Sequence, residues 1–358
     1  MKILKVTLAL FALGLIAAAG FSYWLYTSLN EANPHGKANE FIVIEKGTSP
    51  PQIIEKLGAE GVIVSSLPIR IYLRTLGNAE KMQAGEYQFQ SPITPLQVLK
   101  ELEKGEAQTT RLTIPEGFTR FDIAKRIASA FPQNPSADEK QILTLMDDTS
   151  LIKDIAPDAK NLEGYMYPST YTFPKQAKAE DIIKATVDQF KKIWKPEWSA
   201  RAKELGRTTD EIVTIASLIE TESKFDAERQ IVASVIYNRL AKNIPLGIDQ
   251  TAVYIAKMQG RWDGTINKSD LESDSPYNTR RFGGIPPGPI SSVTESSIEA
   301  ALKPAQTEYI FYVLNVQAND GSHHFYASAR DFERGKAEYQ RWLELQRQEK
   351  REQANTGN

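Results

Sequence analysis

The sequence predicts an α+β protein in three parts: a single N-terminal transmembrane helix, a small α+β module, and a mixed α+β domain built around a glutamate-bearing helix. Three observations predict it. Residues 6–26 carry no formal charge, and short strand-like and helical pieces alternate over 40–108. From Glu211 to Leu240 apolar residues recur at helical spacing, with two glutamates near the end of the first run. A chain of 358 residues is long enough for a small module and a second domain with its own core.

Lys2 and Lys5 precede Val6 to Tyr26, which as a helix would span roughly 30 Å and match a bilayer core. The lysines place residues 1–5 in the cytoplasm, and Tyr23, Trp24 and Tyr26 fall where an interfacial aromatic belt would lie on the far side. A cleavable signal peptide is the rival reading, with Ala17-Ala18-Ala19-Gly20 as the cleavage region. The apolar run continues past those alanines and exceeds a signal core of about 7–15 residues, which favours an uncleaved anchor. Both readings export the remainder of the chain. Residues 27–39, polar and carrying Pro34 and Gly36, read as a linker.

Residues 40–108 then offer Phe41-Ile42-Val43-Ile44, a helix around Pro51 to Leu57, an apolar piece from Ile69 to Leu76, Gly85-Glu86-Tyr87-Gln88-Phe89, and a helix from Pro95 to Glu103. The second domain, 109–345, opens with strand-like Thr110 to Ile114, a turn at Pro115-Glu116-Gly117 and a helix around Phe121 to Ala130. Pro132 to Glu139 reads as a polar connector, and residues 141–205 hold more helices around the segment Leu162 to Pro174. Tyr309 to Leu314 alternates like a strand and can pair with His323-His324-Phe325-Tyr326 across the turn Asn319-Asp320-Gly321. A charged helix from Asp331 to about Arg351 closes the chain, with 346–358 as a tail.

The most informative helix starts at Thr208, which forms a capping box with Glu211, and continues through Ile212, Ile215, Ala216 and Ile219. Glu220 therefore borders the buried stripe. A carboxyl beside aliphatic side chains loses hydration of its charged form and so keeps a proton more readily, as a general acid must. The alternative is that Glu220 and Glu222 merely solvate a helix end. A second amphipathic run, Ile231 to Leu240, follows. After it come Asp249-Gln250-Thr251 with Tyr254, Ser275-Pro276-Tyr277-Asn278-Thr279, and Gly284-Ile285-Pro286-Pro287-Gly288-Pro289-Ile290, all polar or turn-rich. The last has three prolines and two glycines in seven positions, so it reads as a rigid loop. Upstream, Leu162-Glu163-Gly164-Tyr165-Met166-Tyr167-Pro168 combines a carboxylate, a turn glycine and aromatics of the kind that stack on sugar faces.

Together and in this order these segments resemble the YceG-like family of endolytic murein transglycosylases. The most specific matches are Ala216 to Glu222, Val235 to Leu240 with Asn238 and Arg239, Tyr277-Asn278-Thr279, and Gly284 to Gly288; Ile114-Pro115-Glu116-Gly117 adds weaker support. The chain departs from the family pattern at Gly247 to Thr251, at Pro168-Ser169-Thr170 and near Phe332. The resemblance implies a membrane-bound lytic transglycosylase of the cell inner (plasma) membrane. It would cut the MurNAc–GlcNAc bond inside nascent peptidoglycan strands, leave 1,6-anhydro-MurNAc ends and so terminate strand elongation. It also implies that 40–108 is a LysM-like module, glycan-binding or a spacer, that 109–345 is the catalytic domain, and that peptidoglycan synthases are near.

The family's catalytic glutamate is the first of the Glu-x-Glu pair, here Glu220. Tyr277 and Asn278 are expected in the glycan cleft, with Asp249, Glu163 and Glu222 as weaker sugar contacts; a turn cap is the other reading of Asn278. Ordinary glycoside hydrolysis needs two carboxylates about 5–9.5 Å apart. Glu220 and Glu222 are rotated by about 200° on one helix and cannot easily flank one bond, so Glu222 is expected to face away from it. A lytic transglycosylase needs one carboxyl, because the C6 hydroxyl of the muramic acid attacks C1. Arg239 reads as a structural ion-pair partner.

Composition excludes other chemistries. The formal charge of −2 gives no sign of a nucleic-acid partner, and the absence of cysteine excludes disulfides, thiolate nucleophiles and cysteine-ligated metal centres. The histidines are His35, His323 and His324, and the adjacent pair would point to opposite faces of a strand. There is no His-Glu-x-x-His run and no Gly-x-Ser-x-Gly elbow. No cofactor or metal is expected. The rival class is an inactive, membrane-tethered glycan-binding protein in which Glu220 is structural.

Overall fold

The computed structural model describes residues 2–38, 40–45, 47–104, 109–132, 138–175 and 177–356. The connector expected at Pro132 to Glu139 falls largely outside them. The fold is mixed α+β, and contacts divide it into two compact units: Met1–Thr110 with Thr172–Lys175, and Arg111–Tyr171 with Gln176–Asn358.

In the first unit, α1 (Lys2–Asn30) precedes β1 (Ile42–Ile44), α2 (Pro50–Ala59), α3 (Ser66–Thr75), β2 (Gly85–Tyr87) and α4 (Pro95–Lys104). Within α1, Leu10–Asn30 is long and apolar enough to cross a membrane. Residues 27–30, expected in the linker, are helical instead. No glycine or proline interrupts them, and Leu25 and Leu29, one turn apart, pack into the core of this unit. Asn33 and Ile93 exchange backbone hydrogen bonds, and the His35 N–H donates to Ser91 Oγ at 2.8 Å, so the segment is tied down beyond the helix as well. β1 and β2 pair antiparallel with Ile42 opposite Tyr87 and Ile44 opposite Gly85. The strand period turns Ile42 and Ile44 inward and Val43 outward, onto Ile53, Ile54 and Leu57 of α2 and Val98, Leu99 and Leu102 of α4.

The second unit contains β3 (Thr109–Ile114) from Arg111 on, α5 (Arg120–Ala130), α6 (Glu139–Met146), β4 (Ser169–Pro174) as far as Tyr171, α7 (Ala179–Ile193), α8 (Pro196–Glu204), α9 (Thr209–Glu222) and α10 (Asp226–Ala241). It continues with α11 (Gln250–Met258), α12 (Lys268–Leu271), α13 (Glu295–Leu302), β5 (Phe311–Leu314), β6 (His323–Tyr326) and α14 (Ala329–Thr356). α9 is its centre. Its capping box closes as expected, with Glu211 N–H on Thr208 Oγ at 3.2 Å and Thr208 N–H on the Glu211 carboxylate at 2.9 Å. Every residue from Ile212 to Glu220 is buried, as befits a helix packed on all sides, and α8, α10, α11 and α13 surround it. β5 and β6 pair antiparallel with Tyr312 opposite Phe325, as the alternation predicts.

Two elements differ from the sequence expectation. α10 begins at Asp226, five residues before the apolar run, because Asp226 and Glu228 supply favourable first-turn charge. Asp249-Gln250-Thr251, read as turn-rich, starts helix α11, whose Ala252, Ile255 and Ala256 are buried on one face with Thr251 and Tyr254. The Gly284–Ile290 segment is a loop without helix or strand, and it docks on α9 where the Ile290 N–H donates to Ser217 Oγ at 3.0 Å.

Candidate active site

Glu220 and Glu222 leave the end of α9 in different directions, as two residues of one helix must. Glu220 turns toward α10 and α13. Its Oε1 accepts from Arg229 Nη2 at 3.2 Å, while Oε2 accepts from the Thr294 N–H at 2.9 Å, the Thr294 hydroxyl at 2.7 Å and Arg229 Nη1 at 3.4 Å. Both partners are sealed, with side chains 2% and 6% exposed. Arg229 also donates to the Ser296 and Ser297 hydroxyls at 2.7 and 3.0 Å. Three of these contacts fall on Oε2 and one on Oε1, so Oε1 keeps one acceptor position unfilled.

Glu222 turns the other way, toward β5, and accepts from the Tyr312 hydroxyl at 2.6 Å. Burial pushes its carboxyl above the ordinary range, and the Tyr312 hydrogen bond opposes the rise without cancelling it. Nearby Asp249 adds to the rise, while His323 and Arg239 act against it. Tyr312 is itself pushed well up by burial and so stays a hydroxyl donor. Glu222 lines a cavity of about 470 Å³ together with Asp249, Arg239, Arg280, Tyr312 and residues of α14. Glu220 does not line it. Of the two glutamates at the end of α9, Glu222 is the one on the wall of this cavity, beside charged side chains of the loops and of α14.

The remaining expected residues divide between this cleft and packing. Asp249 lines the cavity and accepts from Arg280 Nε at 2.8 Å. Glu163 is 1% exposed and caps α5, both its oxygens accepting from the Arg120 N–H at 3.0 Å. Burial pushes its carboxyl up to about 8. Tyr277 leans on Tyr254 with ring centroids 5.0 Å apart, beside Glu163 and away from the cavity. Asn278 is fully buried; its amide donates to the Leu271 and Ser273 carbonyls at 3.0 and 2.8 Å and its oxygen accepts from the Arg280 N–H, so the turn-cap reading describes its contacts. Arg239 makes contacts of a different kind from the ion pair expected. It donates to the carbonyls of Ile310, Leu246 and Pro245 at 2.6, 2.6 and 3.2 Å.

Tyr312, Arg280 and Arg229 were not singled out by sequence reasoning. Arg229 had a usable signal, since a cation in the first turn of the next helix can reach back to the end of α9; Tyr312 is 90 residues from Glu222 and had none. His323 Nδ1 lies 2.9 Å from Glu228 Oε2 and packs edge-on to Tyr312, while His324 alternates outward. Among the described residues no group of three or more histidine, aspartate or glutamate side chains is placed to hold a metal ion.

A half-buried carboxyl at a helix end, hydrogen-bonded to a tyrosine and open to a cleft with charged walls, can in chemical principle give and take a proton. The family model described as "YceG-like family" matches residues 42–338. The chain belongs to that family. It is similar to a Bacillus subtilis protein named endolytic murein transglycosylase, 33% identical over 301 residues that cover 80% of this chain and 81% of that one. A Streptococcus pneumoniae serotype 2 protein of the same name is 28% identical over 91% of this chain, and the alignment spans only 63% of that longer relative. Among solved structures, a yceG-like protein from Listeria monocytogenes matches with a TM-score of 0.57 and 31% identity, covering 82% of this chain and 97% of that one.

Proposed function

We propose that this protein is a peptidoglycan lytic transglycosylase that cuts inside glycan strands, with Glu222 as its acid–base group. The names of the similar bacterial proteins support the reaction class. The observation that carries the residue assignment is the burial-raised Glu222 carboxyl on the wall of the cleft. Protonated Glu222 gives its proton to the glycosidic oxygen as the MurNAc–GlcNAc bond breaks. The carboxylate left behind takes the proton of the C6 hydroxyl, whose oxygen closes on C1 to form the 1,6-anhydro ring. No water is consumed, and the proton is returned to Glu222. Tyr312 holds the carboxyl in place through the cycle. Glu220, held by Arg229 and Thr294, ties α9 to α10 and α13; with one acceptor position open on Oε1 and its place as the first carboxylate of the Glu-x-Glu pair, it is the alternative acid–base group.

Around this chemistry, α1 anchors the protein as a single-pass helix in the inner membrane with the rest outside the cytoplasm. The first unit holds glycan as a LysM-like module, and cleavage of nascent strands beside the synthases ends their elongation. Asp249, sharing the cleft with Glu222, favours one second reading: a two-carboxylate hydrolase. Mass spectrometry of products from purified uncrosslinked strands tests both. Internal fragments ending in 1,6-anhydro-MurNAc support the lytic reaction, whereas reducing ends formed by water support the hydrolase. Intact strands would mean a glycan-binding protein without activity.

A further inference from the structure

The cleft beside Glu222 has a wall for which the acid–base chemistry has no use. Phe332, Lys336, the adjacent Tyr339 and Gln340, and Leu343, which together follow the helical repeat along one face of α14, line it. The helix is seated where Phe332 stacks on Phe311, centroids 4.6 Å apart, and where Gly335 meets Tyr326 so closely that a Cβ would lie 2.2 Å from its hydroxyl. The family match ends at residue 338, so Tyr339, Gln340 and Leu343 lie beyond it. Three cations, Arg239, Arg280 and Lys336, share the cavity with two carboxylates, of which Glu222 is pushed toward its neutral form. Arg239 is spent on backbone carbonyls and Arg280 is shared with Asp249. Among the described residues Lys336 has one ion pair, an exposed one with Glu333 at 3.5 Å of a kind that contributes little, and its ammonium stands 6.0 Å from the Phe332 ring centroid.

N-Acetylglucosamine is uncharged, and where a peptide stem is attached the lactyl carboxyl of N-acetylmuramic acid is tied up as an amide. On a peptidoglycan strand, negative charge resides in the carboxylates of the peptide stems borne by the muramic acid residues. We propose that the α14 wall is a subsite for these stem carboxylates, with Lys336 and Arg280 as charged contacts and Tyr339 as the flat surface on which the stem lies. The subsite rests on the transglycosylase reading, and it predicts a preference for strands that keep their stems.

The test compares kcat/KM of the full-length protein on peptide-bearing strands and on the same strands treated with an amidase, which removes the stem carboxylates and leaves one lactyl carboxylate close to each sugar ring. In Lys336→Ala the ratio of the two values should fall roughly tenfold, the loss of one charge-assisted contact. Lys336→Arg, which keeps the charge, should restore most of the ratio. A ratio unchanged or increased in Lys336→Ala overturns the subsite, however far total activity falls, because damage to packing would lower both values alike. Failure of the unmutated protein to cut either substrate would overturn the transglycosylase reading itself, a result obtained without any variant.

Discussion

Arg229→Met would leave the Glu220 carboxylate sealed in the interior with Thr294 as its remaining donor and no counter-charge. Removing one member of a buried ion pair costs about 3–5 kcal/mol, because the other charge stays desolvated and uncompensated. For a unit of the second one's size, each kcal/mol lowers the melting temperature by about 2–4 °C, so a fall of roughly 6–20 °C is expected. Trp194 and Trp198, 7% and 4% exposed in that unit, report its unfolding by fluorescence. Adding Glu220→Gln removes the stranded charge, so the double variant should lose less than the sum of the single variants, by on the order of 1–3 kcal/mol. An Arg229→Met shift below about 2 °C, or strict additivity in the double variant, would refute the structural role assigned to the pair.

Glu163 makes stability depend on pH. Its buried carboxyl is pushed from 4.5 to about 8, so across that window the folded state holds a proton that the unfolded chain has released, and stability should fall as pH rises. The slope is at most about 1.4 kcal/mol per pH unit, and Glu163→Gln should flatten it in urea titrations between pH 5 and 8; equal slopes would contradict the assignment. Gly335→Ala should lower the melting temperature and expose α14 to proteolysis, although alanine favours a helix by about 1 kcal/mol, because the new Cβ meets Tyr326. A stabilised variant would mean that α14 is not seated there.

What the sequence made legible was local. Thr208 and Glu211 announce the start of α9 because a capping box needs only four consecutive positions, and the β5–β6 hairpin follows from alternation and its turn. α11 escaped notice because its first turn is polar and its apolar face is short, so that neighbours rather than period mark it as a helix. The divergence of Glu220 and Glu222 was also legible, being fixed by helix geometry. Which of them meets the cleft was not, because Arg229 and Thr294 claim one and Tyr312 the other, and these partners lie 9, 74 and 90 residues away. Asn278 and Glu163 show the same limit: a polar residue in a turn-rich segment reads equally as a ligand contact or as a cap, and only its partners decide.

The measurement that bears most directly on the acid–base assignment compares Glu222→Gln with Glu220→Gln, each shown by circular dichroism to be folded, by counting 1,6-anhydro ends released from uncrosslinked strands. Glutamine keeps size and hydrogen bonding but has no proton to transfer, so Glu222→Gln should lose about 10²–10⁴-fold in rate. Glu220→Gln should melt lower yet keep most of its activity per folded molecule. The reverse pattern, with Glu222→Gln active and folded Glu220→Gln inert, would contradict the assignment and return the chemistry to Glu220.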